Sequence, residues 1–249
     1  MKPEGSPEFD RHARDYSAGF DDPLKQAIGA DARAFLRPKL DLLRRAAARG
    51  AGPDGAPLRY LDFGCGTGDF LALVREAGLP WEAEGCDVSP GMLAEARRRW
   101  PDLDRSGALW VAGDEFPEER YDVITAICVL HHIPPAGWPA TLVRLRRALR
   151  PGGLLCVFEH NPWNPVTRWM IRRTAIDANA VLLSPRTCAR LLRGAGFPAV
   201  AVSHFLFVPP RWARLARAER ALRWLPLGGQ YVAAARADQF RVAAPAAAP

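Results

Sequence analysis

The chain has 249 residues, 49% of them apolar, which suffices for a buried core within one α/β unit. Its formal charge of +7 would suit nucleic acid or an anionic surface, but only three of the 34 basic residues are lysine (Lys2, Lys25, Lys39) and the arginines are scattered, so the charge reads as surface solvation with no nucleic-acid partner. No signal-like opening and no apolar run of about 18 residues is present, and Cys65, Cys86, Cys128, Cys156 and Cys188, odd in number and without Cys-x-x-Cys, read as reduced thiols of a cytoplasmic protein, neither disulfides nor a metal set.

In chain order, the first eight residues read as loose, and an arm, Phe9 to Tyr16, follows. Leu24 to Arg49 places Ile28, Phe35, Leu36, Leu40 and Leu43 at helical intervals, predicting one or two helices, and Gly50 to Pro57 is a linker by composition. An apolar strand, Arg59 to Phe63, then runs into Gly64, Gly66 and Gly68, and a helix is predicted over Phe70 to Glu76. Glycines at this spacing permit positive φ and close approach of main chain to a ligand, whose polar groups the following helix amides can meet. A dinucleotide fingerprint needs a third glycine where Asp69 stands, and a carboxylate there would repel a pyrophosphate. No Gly-Lys-Ser/Thr follows either, so a phosphate loop is absent. A zwitterion with little net negative charge fits better, and S-adenosylmethionine (SAM) is such a cofactor.

A second strand, Glu82 to Cys86, ends at Asp87, at the offset from which an acid takes both ribose hydroxyls. Ser89 offers an N-cap and Pro90 a first helical residue. A third strand over Ala108 to Ala112 precedes Gly113-Asp114; a fourth begins at Tyr121 and exits at His131-His132; Arg150-Pro151-Gly152-Gly153 predicts a turn into a fifth. Beyond Phe158-Glu159-His160-Asn161-Pro162-Trp163-Asn164-Pro165, helices are predicted over Val166 to Arg173 and from Ser184-Pro185 to near Gly194. Ala199 to Val208 and Gln230 to Ala235 complete the strands, with an arginine-rich helix, Arg211 to Trp224, between them and an Ala/Pro tail from Val242. Alternating strands and helices imply a doubly wound, mostly parallel sheet.

Asp62-x-Gly64-x-Gly66-x-Gly68, with Asp87 and Asp114 at these spacings, resembles the first motifs of class I SAM-dependent methyltransferases. Phe9-Asp10-x-x-Ala13-x-x-Tyr16 is similar to the stretch before many small-molecule (ubiquinone-biosynthesis-like) members, and the likeness covers roughly residues 9 to 240. The resemblance implies the class I fold: an α/β doubly wound seven-stranded sheet with one antiparallel strand and an N-terminal helical addition. It implies an arm and helices over 1–54 and a core over 55–240 with a substrate insert at about 159–190, while composition predicts a disordered tail over 241–249. It also implies SAM held by Tyr16, Asp62, Gly64, Cys65, Gly66, Gly68, Asp87, Val88, Asp114, Glu115 and Ile127, with Asp114 at the adenine amino group.

The SAM methyl is already activated, so the protein must align a nucleophile, exclude water and, for a hydroxyl, amine or acidic carbon, remove a proton. Ligands of open α/β sheets bind at the carboxyl ends of strands, which selects His131, His132, Glu159 and His160 as candidate catalytic groups. Glu159 and His160 are adjacent on an extended segment, so one only is expected to face the pocket. Asn161-Pro162-Trp163 superficially resembles the motif of amino-methyltransferases but lies one strand late for it, and no Pro-Cys dipeptide supports cytosine methylation. The expectation is methyl transfer to O, N or C of a small metabolite, natural-product and glycan intermediates among the candidates. The alternatives are a non-methylating SAM-fold enzyme such as a cyclase, or a SAM-binding regulatory partner. Oligomeric state is left open.

Overall fold

Seven strands form one sheet in the order β3-β2-β1-β4-β5-β7-β6. They are β1 (Leu58–Phe63), β2 (Trp81–Asp87), β3 (Leu109–Val111), β4 (Tyr121–Ile127), β5 (Leu149–His160), β6 (Val200–Phe205) and β7 (Gln230–Arg236). All neighbouring pairs are parallel except those of β7, which runs antiparallel to both β5 and β6. The structure, a computed structural model, describes residues 10, 32–47, 56–177, 179–208 and 221–238. Tyr16, the linker up to residue 55, most of the arginine-rich helix expected over 211–224, and the tail from 242 lie outside the described residues.

The helices are α1 (Ala32–Ala47), α2 (Asp69–Glu76), α3 (Pro90–Arg99), α4 (Pro101–Arg105), α5 (Trp138–Ala148), α6 (Pro165–Ile171) and α7 (Pro185–Gly194). Caps set several starts. Ser89, Asn164 and Ser184 each accept from the backbone amide three residues on, and a proline follows each as the first helical residue. One face of the sheet buries Tyr60, Phe70, Leu71, Leu93 and Phe158 beneath α1, α2 and α3. The other buries Leu61, Ile124, Leu142, Leu192 and Tyr231 beneath α5 and α7. Among the described residues no helix is long and apolar enough to cross a membrane.

Most boundaries fall within two residues of the sequence reading, and two places differ more. Pro151-Gly152-Gly153, expected as a turn before a strand, lies inside β5: the pairing runs Tyr121 with Leu149, then shifts register to Val123 with Leu154. Gly152 takes φ +77° there, and its amide donates to the Ala237 carbonyl at 3.1 Å, so the would-be turn is a bulge held from the β7 side. β6 ends at Phe205, short of Val208, because Leu206 adopts φ +59° and leaves the ladder. The winding of the sheet reverses between β1 and β4, and ligands of open α/β sheets occupy the crevice at the carboxyl edge of such a switch point.

Candidate cofactor and acceptor site

The turn leaving β1 is built on the end of β2. The amides of Gly64 and Cys65 both donate to the Cys86 carbonyl, at 2.8 and 2.9 Å. Gly64 has φ +70°, and a Cβ there would stand 2.6 Å from Val129 Cγ2, so the strand exit of β4 presses directly on this glycine. Gly66 has φ +52° with open space where its Cβ would be. A side chain at Gly64 would therefore break packing, whereas one at Gly66 would enter the crevice.

Asp87, at the tip of β2, gathers the loop. Its Oδ2 accepts from the Gly66 amide at 2.8 Å and its Oδ1 from the Ser89 amide at 2.9 Å. Burial raises its pKa from the ordinary value while these amides oppose the rise. Each oxygen keeps further lone-pair capacity for a ligand. Asp62 lies under the loop, 2% exposed, and accepts from Thr125 Oγ1 at 2.8 Å; burial pushes its pKa up to about 7 against that bond. Cys65 is buried with its sulfur facing Gly85, while Val88, Asp114 and Glu115 are exposed along the rim and Ile127 ends β4. Asp10 accepts from Ser89 Oγ and from the Gly91 amide, at the first turn of α3.

Asp69 corrects part of the sequence argument. Arg99 donates to both its carboxylate oxygens at 2.7 Å, and Thr67 Oγ1 donates at 2.6 Å, so its charge is largely compensated. What separates this loop from a dinucleotide site is a side chain where glycine is needed, rather than repulsion.

The second half of the site is the exit of β4. Cys128 takes φ +56°, uncommon for a residue with a Cβ, and turns the chain into a single 3-10 turn, Leu130–His132. Glu159, fully buried on β5, accepts from the Leu130 amide at 2.8 Å and pairs with His131 Nδ1 at 2.5 Å. Glu159 thus contacts a histidine rather than open space. His160, less buried than Glu159, has its ring 5.3 Å from that of His131. Gln230 on β7 lies 3.3 Å from His160 Nδ1.

Asp177, on the 3-10 turn Ala175–Asp177, completes the corner and has no counterpart in the sequence reading. Its Oδ1 lies 3.5 Å from Nε2 of His131 and 3.5 Å from Nε2 of His132. The Val181 amide donates to the His131 carbonyl at 2.8 Å and pins the insert there. Burial opposes protonation of His131, but Glu159 and Asp177 outweigh it and hold the imidazole at about 10. The same burial, with the charge of His131, keeps His160 neutral. His132 is the more open of the adjacent pair, its side chain 19% exposed against 1% for His131.

Asn161 does not present its amide to the crevice. Its Nδ2 donates to the carbonyls of Pro226 and Gly228 at 2.9 and 2.8 Å, and Asn164 Nδ2 donates to Leu227 at 2.7 Å. Thr167 Oγ1 donates to the Gly229 carbonyl at 3.0 Å. The start of the insert is stapled to the entry of β7.

A family model described as a methyltransferase domain matches residues 30–202. The chain is 34% identical over 172 residues to the demethylmenaquinone methyltransferase of Beutenbergia cavernae, covering 64% of each protein. It is 37% identical over 139 residues to the trans-aconitate 2-methyltransferase of Methylobacterium nodulans, covering 56% of this chain and 50% of that one. The matches thus span between half and two thirds of the length of these curated relatives. A solved SAM-dependent methyltransferase from Archaeoglobus fulgidus superimposes with a TM-score of 0.56 at 19% identity, covering 81% of this chain and 94% of that one, a likeness of fold.

Proposed function

The chain belongs to the methyltransferase domain family, and on that premise we propose that it transfers the methyl group of SAM to an oxygen, nitrogen or carbon of a small acceptor. The observation that carries this reading is Asp87, whose carboxylate holds the Gly66 and Ser89 amides beside a loop open at Gly66, as a ribose-binding acid requires. Gly64, Cys65, Gly66, Gly68 and Ile127 line the cofactor's path, Asp62 supports it from below, and Val88, Asp114 and Glu115 border the adenine. Tyr16 belongs to the same set as the arm's contribution. The methyl then points toward the exits of β4 and β5, where the His131–His132–Asp177 corner, braced by Glu159 with His160 beside it, stands against a hydroxyl acceptor and favours loss of its proton.

The insert at about 159–190 walls the acceptor space. Two relatives named for acceptors as different as demethylmenaquinone and trans-aconitate leave the acceptor's identity to this wall rather than to family likeness. A small molecule suits it better than nucleic acid, because several arginines around the sheet are already paired, Arg99 with Asp69, Arg120 with Glu84 and Arg150 with Asp122. The five free thiols fit a reducing cytoplasm. The test is incubation of the full chain with methyl-labelled SAM and a small-molecule extract, read by mass spectrometry. Labelled product with equivalent S-adenosylhomocysteine is expected. A product of unchanged mass with SAM intact would indicate a cyclase-type reaction and overturn methyl transfer.

A further inference from the structure

His131 raises a question that methyl transfer by itself does not answer. Its ring is 1% exposed, Nδ1 is paired with Glu159 at 2.5 Å, and Nε2, equally buried, has no hydrogen-bond partner. An imidazole nitrogen shut away from water needs one. Asp177 Oδ1 is near, but 3.5 Å is a poor hydrogen-bond distance, and the same oxygen is also 3.5 Å from His132 Nε2. One carboxylate oxygen therefore stands equally far from two imidazole nitrogens, and all three atoms lie within 4.8 Å of one another.

The spacing has a simple geometric meaning. Two ligands each about 2.0–2.1 Å from a tetrahedral ion lie about 3.4 Å apart. Two edges of such a tetrahedron are present here, at 3.5 Å each. We propose that His131 Nε2, His132 Nε2 and Asp177 Oδ1 bind one divalent first-row transition metal ion, of the zinc, cobalt or ferrous class, at the acceptor end of the crevice. Two imidazoles and one carboxylate form a borderline donor set that favours such ions over magnesium or calcium, which prefer oxygen alone.

The surroundings are those of a ligand set. Glu159 accepts the Nδ1 proton of His131, so Nε2 is the nitrogen that ligates when an ion displaces its proton, and the Leu130 amide donates to that carboxylate at 2.8 Å and orients it in turn. The insert supplies Asp177 and is tied to the His131 carbonyl through Val181. Three protein ligands leave at least one position open, and partly exposed His132 marks the side from which it is reached.

The role follows from the methyl-transfer reading, on which it rests. An acceptor hydroxyl bound at the open position has its proton affinity lowered and releases its proton to water. Its oxygen then forms a bond to the methyl carbon as the carbon–sulfur bond breaks, and S-adenosylhomocysteine leaves as a neutral thioether.

The test uses the full chain, stripped with a chelator and titrated with Co²⁺ and then Zn²⁺. One equivalent of Co²⁺ is expected to give visible ligand-field absorption without thiolate charge-transfer bands, and one equivalent of Zn²⁺ to displace it. Asp177→Asn and His132→Ala should weaken Co²⁺ binding by more than ~100-fold and Glu159→Gln by roughly 10–100-fold, while Cys128→Ser leaves it unchanged. Circular dichroism identifies any variant that has failed to fold, and His132→Ala, the variant at the more open position, keeps the test decisive. Absence of stoichiometric binding, a spectrum dominated by thiolate bands, or Co²⁺ binding by Asp177→Asn and His132→Ala as tight as by the wild type would overturn the site. Calorimetry with SAM on the metal-free chain separates the two claims: SAM binding without Co²⁺ binding defeats the metal site alone, and the reverse defeats the cofactor reading alone.

Discussion

Replacing Asp87 by alanine tests the cofactor site most directly. Its two oxygens each spend one acceptor site on a backbone amide, Gly66 at 2.8 Å and Ser89 at 2.9 Å. That leaves each oxygen able to take one ribose hydroxyl. Two charge-assisted hydrogen bonds lost from a largely buried carboxylate should cost on the order of 2–4 kcal/mol, or about 30- to 1000-fold in affinity. Part of any loss would come from the Gly66 loop drifting once its tether is gone, so affinity for SAM alone is ambiguous. Calorimetry should therefore compare S-adenosylhomocysteine with its 2′,3′-dideoxy analogue in wild type and Asp87→Ala. If Asp87 binds the ribose, the variant loses its affinity for the full ligand while the analogue, already weak, binds both proteins alike. Equal losses for both ligands would show that Asp87 only holds the loop, and wild-type affinity in the variant would refute its role altogether.

Three further expectations can be checked together. His132→Ala should lower turnover of a hydroxyl acceptor by roughly 10²–10⁴-fold while calorimetry shows SAM affinity unchanged. Gly64→Ala forces a Cβ to 2.6 Å from Val129 at φ +70° and should lower thermal stability by about 2–4 kcal/mol, whereas Gly66→Ala, strained but with open space, should cost about 1 kcal/mol of stability and mainly weaken SAM binding. Asp62 has a folded-state pKa of about 7 against an ordinary 3.8, so the folded state holds its proton more tightly than the unfolded chain. Its stabilising contribution is full below about pH 4 and is lost as pH rises through 7, up to ~4 kcal/mol. Denaturant melts of the cofactor-free chain should show wild type losing stability relative to Asp62→Asn over that range, and parallel curves would contradict the shift.

The proximity of the glycine loop to Asp87, the proposed cofactor half of the site, was legible because it is local. Gly64, Gly66 and Gly68 follow one strand and Asp87 ends the next, and parallel pairing of Phe63 with Cys86 brings the two ends together. The sequence order of strands and the caps at Ser89 and Ser184 were readable for the same reason. The acceptor corner depends on tertiary closure. Asp177 comes from an insert without useful periodicity, and only the Val181–His131 contact explains its arrival, so no metal-ligand spacing could be seen in the chain. The pairing of Glu159 with His131 was equally hidden, because the turn after Cys128 that brings them together carries no sequence signal. The meaning of Asp69 was likewise hidden, because its partner Arg99 stands on another helix.

The bonds from Asn161, Asn164 and Thr167 to the carbonyls of residues 226–229 also bear on how new acceptors are to be engineered into this scaffold. Two stretches more than sixty positions apart behave as one exchangeable cassette: a chimera that imports a relative's insert must import its loop before β7 as well. Grafting either half alone leaves main-chain carbonyls stranded and the new wall without its anchor.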